Sequence, residues 1–147
     1  MDRRAIGKAA LATIAGLFTA ARARAAMADA GMAKVVYHLA DLDKVTFVLG
    51  NIANHYEGMG GPDKVTIALV IHGPALKAFH VKGADAAHAR RFAQFVKNGL
   101  APAVCIHSMQ AQNVKLEDLM PGFAVADRGG VVRLAELQAQ GYAYLRP

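Results

Sequence analysis

Cys105 is the only cysteine in the chain, and it lies in the run Leu100 to Met109, Leu-Ala-Pro-Ala-Val-Cys-Ile-His-Ser-Met. The run is apolar, bounded by Gly99 and Pro102 on one side and Ser108 on the other, and reads as a short buried strand passing into a turn and a helix start. The carboxyl end of a strand in an open parallel sheet is where such folds bind ligands. A thiolate is a nucleophile, but a free thiol is mostly protonated at neutral pH, so a working one needs a feature that favours its charged form. Two are on offer: the N-terminal dipole of a helix capped by Ser108, and an imidazole from His107 or His72. On an ideal strand His107 points to the same face as Cys105. The plainer reading is that Cys105 is a small, inert core residue.

His38 ends the first expected strand, His72 the second, and Cys105 with His107 the third. Carboxyl ends of parallel strands share one edge, so His38, His72, Cys105 and His107 could meet there. Three nitrogens and one sulfur suit zinc or copper. The simpler expectation is separate roles, with strand-end histidines bonded to loop backbone and no cofactor. His55, His80 and His88 fall in helix or connector contexts.

The elements that must position these side chains follow from periodicity. Lys34 to Leu39 and Lys64 to His72 are strand-like runs, the second apolar almost throughout, as for a central strand covered on both faces. Between them Val45, Val48, Leu49, Ile52, Ala53 and Tyr56 follow one helix face, ending at the Gly58 to Pro62 cluster. Those glycines follow a helix and precede a strand, the reverse of the order a phosphate cradle needs, so a turn is expected. Ala75 to Val81 is a connector whose form the residues leave open. Ala84 to Asn98 repeats the helical spacing, and the cysteine strand comes next. A short helix from Ser108, a strand at Phe123 to Ala126, a helix from Val131 to Gln140 and a last strand at Tyr142 to Leu145 complete the order. Strands alternating with helices imply a parallel sheet joined by right-handed crossovers, with helices on both faces.

A length of 147 residues suits one domain. Of the net charge of +6, Met1 to Ala26 carries +4, leaving the remainder close to neutral. No basic stripe interleaved with aromatics is present, so nucleic acid is not an expected partner. One cysteine excludes an internal disulfide and a multi-cysteine zinc site.

Residues 1–26 have the three-part layout of a signal peptide: a cationic start, an uncharged small and apolar stretch from Ala9 to Ala21, and Ala23 and Ala25 placed for an A-x-A cleavage. Arg3-Arg4-Ala5-Ile6-Gly7-Lys8 resembles the twin-arginine export signal. The stretch is too short to span a bilayer, so no membrane association is expected once the signal is removed. The expected location is the periplasm, with 27–147 as the mature domain; without a signal it is the cytoplasm.

The order of Val-Tyr-His-Leu (36–39), Asn-Ile-Ala-Asn (51–54), Val-Ile-His-Gly-Pro-Ala-Leu (70–76), Val-Cys-Ile-His-Ser (104–108), Leu-Met-Pro-Gly (119–122) and Leu-Gln-Ala-Gln-Gly-Tyr-Ala-Tyr-Leu-Arg-Pro (137–147) resembles the DsrE/DsrF-like family across Lys34 to Pro147. The resemblance implies a three-layer α/β/α sandwich with a five-stranded, mostly parallel sheet, assembling as homotrimers or hexamers. In the sulfur-relay members a cysteine beyond a strand carries sulfane sulfur as a persulfide between donor and acceptor proteins, and Cys105 stands at that position. Here the cysteine is followed by Ile-His-Ser-Met-Gln, where the relay branch usually has an arginine-containing turn; this version looks more like the small stand-alone members. The expected role is therefore sulfur trafficking through Cys105, assisted by His107 or His72. The alternatives are an oligomeric binding module with a buried structural cysteine, or a metal-binding protein.

Overall fold

The protein is described by a computed structural model covering residues 31–147, of which Met32–Pro147 form one compact unit. The segment read as an export signal lies outside the described residues. Five strands, β1 (Ala33–Leu39), β2 (Val65–Ile71), β3 (Ala101–Cys105), β4 (Ala124–Ala126) and β5 (Ala143–Leu145), form one sheet in the order β4-β3-β2-β1-β5. Every pairing in it is parallel. The helices are α1 (Val45–Met59), α2 (Ala86–Lys97), α3 (Ile106–Gln112) and α4 (Gly130–Ala139). The α/β class and the strand and helix order expected from the sequence are the ones observed.

The apolar residues divide between two faces with the period of two that strands impose. Val35, Tyr37 and Leu39 of β1, and Ile67, Leu69 and Ile71 of β2, join residues of α1, α2 and α3 in the larger core. Val36, Ala68, Val70 and Ala103 point to the opposite face, where Leu134 and Leu137 of α4 cover them. Ala68 and Ala103 are small, which lets α4 lie close to the sheet. No helix among the described residues is long and apolar enough to cross a membrane.

Strand order decides where the helices go. From β1 to β4 the chain steps in one direction; from β4 it returns across the whole sheet to β5 beside β1. With right-handed connections a reversal of direction places the next helix on the opposite face, so α3 and α4 leave neighbouring strand ends toward opposite sides. Their divergence opens a crevice at the carboxyl ends of β3 and β4.

Local structure decides one open point and departs from expectation at two. The connector left open becomes a 3-10 helix, Gly73–Phe79, with Pro74 at its first turn. Ser108 is not the cap of the following helix: the chain turns at Cys105 itself (φ −68, ψ 124), so the helix begins at Ile106 and Ser108 is inside its first turn. His107 is therefore helical, and its side chain does not share a strand face with Cys105. The tight β3-to-α3 turn is the reason; an apolar run continuing through Ile106 concealed it.

Candidate functional site

Parity puts three of the predicted site residues on one side of the sheet. His38 follows Val36, Cys105 follows Ala103 and His72 follows Val70, each by two residues, so all three side chains belong to the α4 face. They come from adjacent strands β1, β2 and β3 at the shared carboxyl edge. His107 arrives from α3.

Cys105 is 5% exposed and borders a cavity of about 550 Å³ together with His72, Lys77, His107, Ser108 and Gly130. Its thiol is set by two opposing effects. Burial raises its pKa, but donation to the sulfur from the Gly130 N–H, the Ser108 N–H and hydroxyl, and the His107 N–H outweighs this, and the pKa is lowered from the ordinary thiol value. The donors sit at the first turns of α3 and α4, where N–H groups lack partners within the helix. Ser108 is itself held: the Gly73 N–H donates to its Oγ at 2.7 Å. The hydroxyl proton is thus left for the sulfur.

The help expected from an imidazole takes a different form. Among the described residues no hydrogen bond joins the His72 or His107 ring to the thiol. The His107 ring is exposed and lies against Gly129, whose left-handed φ of 98° starts α4. His72 lines the cavity and pairs with His38, Nε2 to Nε2 at 2.5 Å. Tyr144 of β5 completes the set, its hydroxyl 2.6 Å from His38 Nδ1. Both rings are disfavoured as cations. For His38, burial first, then His72 and Arg146, outweigh Asp41 and push the pKa down to about 4. For His72, burial and Arg146 outweigh Asp41 and also lower it.

The arrangement suits a stabilised thiolate with neutral imidazoles beside it. It does not make a metal centre of His38, His72, Cys105 and His107: among the described residues no group of three or more His, Cys, Asp or Glu side chains is placed to hold an ion. Sequence reasoning missed Gly130, Ser108 as a donor, Tyr144 as a histidine partner, and Lys77 and Arg128 at the cavity. Gly129-Gly130 before a helix was the available signal for the first, since paired glycines there permit close backbone approach. Tyr144 carried no signal, because it meets His38 across 106 positions of sequence.

Comparison with known proteins agrees with this architecture. None of the curated proteins matches the chain at a significant level. Among solved structures, the chain is similar to MTH1491 from Methanobacterium thermoautotrophicum, described as a protein of unknown function, with a TM-score of 0.68, 21% identity, and coverage of 78% of this chain and 99% of that one. It is also similar to the ychN protein from E. coli, with a TM-score of 0.56, 11% identity and the same coverages, 78% and 99%. At these identities the likeness concerns the fold. The DsrE/DsrF-like family model matches residues 18–147, starting inside the segment read as a signal. With nearly all of its length matched, the chain belongs to the DsrE/DsrF-like family, which is associated in general with sulfur relay.

Proposed function

We propose that this protein carries sulfane sulfur as a persulfide on Cys105. The observation that supports the reading is the position of Cys105, bordering an open cavity with Gly130 of α4 packed over it and His107 and Ser108 of the first turn of α3 beside it, surroundings that favour its charged form. The Cys105 thiolate attacks the sulfane sulfur of a donor persulfide, R–S–SH. A new S–S bond forms to Cys105, the donor's S–S bond breaks, and the leaving thiolate takes up a proton to become R–SH. An acceptor thiolate later attacks the outer sulfur and restores the Cys105 thiolate. Each step is an exchange with no net oxidation.

These surroundings then have a defined task, which is to hold negative charge on sulfur while the partner approaches. Lys77 and Arg128 at the cavity favour an anionic incoming group. The rim is apolar, with Pro74, Ala111, Val131 and Val132, and Val131 is 67% exposed, which suits a protein partner. The same proposal includes a homo-oligomer and export to the periplasm. The former is supported by exposed apolar side chains outside the cavity lining, Phe47 and Val81, each 55% exposed, and the latter by the twin-arginine-like residues 1–26.

Incubating the native protein with polysulfide and measuring intact mass tests the reading. A gain of one sulfur atom, lost in Cys105→Ser, is the expected result. The small exposure of Cys105 favours a second reading, a binding module with a structural thiol. Absence of both sulfur gain and alkylation without denaturant would overturn the carrier reading and favour this one.

A further inference from the structure

We propose that Tyr144, His38 and His72 form a proton path between solvent and the cavity above Cys105, with His72 as the group that exchanges protons there. The inference rests on the carrier reading and assigns the protons that reading leaves unassigned. Tyr144 is 40% exposed on the edge strand and His38 is 8% exposed, so the chain of hydrogen bonds passes from the surface through a buried ring to His72, which is half-buried. At the cavity end, His72 Nδ1 has no hydrogen-bond partner among the described residues. No buried side-chain nitrogen or oxygen there lacks a partner, so this atom reaches solvent, and the space His72 borders is the Cys105 cavity.

Neutral imidazole has one N–H and one lone pair, which allows two arrangements of the same three side chains. When Tyr144 accepts from His38 Nδ1–H, His38 Nε2 accepts from His72 Nε2–H, and His72 Nδ1 presents a lone pair. When Tyr144 donates to His38 Nδ1, His38 donates through Nε2, and His72 presents Nδ1–H. The first takes a proton and the second gives one.

The sulfur step uses both. Because no hydrogen bond joins the two side chains directly, the Cys105 S–H proton reaches His72 Nδ1 through water in the cavity they share; the His72 Nε2 proton then moves to His38 Nε2, the His38 Nδ1 proton to the Tyr144 oxygen, and the Tyr144 proton to water. After the thiolate has displaced the donor, R–S⁻ takes the His72 Nδ1 proton and the chain returns to its first arrangement. Neither ring keeps a charge, in keeping with an environment that disfavours imidazolium at both. Asp41 and Arg146, paired at 3.3 Å, are the charged groups that act on both rings; Cys105, Lys77, His107 and Arg128 border the cavity.

Tyr144→Phe keeps the ring and removes only the terminal oxygen. In single-turnover transfer from a low-molecular-weight persulfide, the variant is expected to slow by about tenfold or more and to lose the wild-type pH profile. Alkylation by iodoacetamide also needs the thiolate, whose equilibrium the variant leaves alone, but it releases iodide, which takes no proton; its pH midpoint should be unchanged and its rate far less affected than that of transfer. His38→Gln should behave likewise. In full-length protein, ¹⁵N shifts of the His38 ring should change tautomer balance in Tyr144→Phe. Transfer within about twofold of wild type with an unaltered pH profile overturns the path and leaves the carrier reading standing. If the wild-type protein gains no sulfur, the carrier reading fails; unchanged His38 ring shifts in Tyr144→Phe then overturn the path on its own evidence.

Discussion

Gly130 stands so close over Cys105 that a β-carbon added to it would lie 3.2 Å from the Cys105 Cβ. The same added atom would lie 3.4 Å from the His72 Cβ and 3.6 Å from Val70 Cγ1. The first turn of α4 thus rests directly on the sheet edge, and a glycine at 130 lets it do so without crowding the Cys105 and His72 β-carbons.

Gly130→Ala should therefore cost stability even though alanine is the better helix former by up to about 1 kcal/mol. Crowding in a packed region typically costs about 1–3 kcal/mol, so the net sign is destabilising. Urea unfolding measures it. The displaced N–H should also raise the pH midpoint of Cys105 alkylation.

Ser108→Ala removes the acceptor of the Gly73 N–H and a donor to the thiolate. The first loss should cost about 1–3 kcal/mol, since Ser108 is buried and the amide loses its partner. The second should raise the Cys105 pKa, read from the pH dependence of iodoacetamide labelling.

In the wild-type protein the same labelling should show a midpoint below that of an ordinary thiol. Burial alone would raise it; only the donors from Gly130, Ser108 and His107 bring it down. Labelling slower than that of a free thiol with the same midpoint is expected as well, because Cys105 is only 5% exposed.

Stability should fall as pH drops from about 6.5 through about 4. In that interval the unfolded His38 binds a proton that the folded one refuses, so unfolding takes up protons and its free energy rises with pH. The lowered pKa of His72 acts in the same direction. The loss should amount to no more than about 3 kcal/mol for His38, and His38→Gln should flatten the curve. Urea midpoints between pH 4 and 8 test this.

Asp85 caps α2 by accepting from the Ala87 and His88 N–H groups, both at 2.9 Å. Asp85→Ala should cost about 1 kcal/mol. Because α2 packs on the face away from Cys105, thiol labelling should be unaffected, which makes this variant a control for stability alone.

By itself the sequence determined the alternation of strands and helices, the parallel class, and the arrival of His38, His72 and Cys105 at one sheet edge. Those features follow from short-range periodicity, which each segment carries in its own residues: β-branched runs at β1 and β2, and the i, i+3, i+4 spacing along α1. Local reading failed at Ser108 because strand and helix meet there without a break in apolar character; the turn at Cys105 is decided by where α3 must pack.

Tertiary structure alone decided the partners. The order β4-β3-β2-β1-β5 sets Tyr144 beside His38 and sends α4 back across the sheet. Only that return lays Gly130 over Cys105. Such contacts depend on which faces bury together, a property of the assembled sheet that no window of sequence contains.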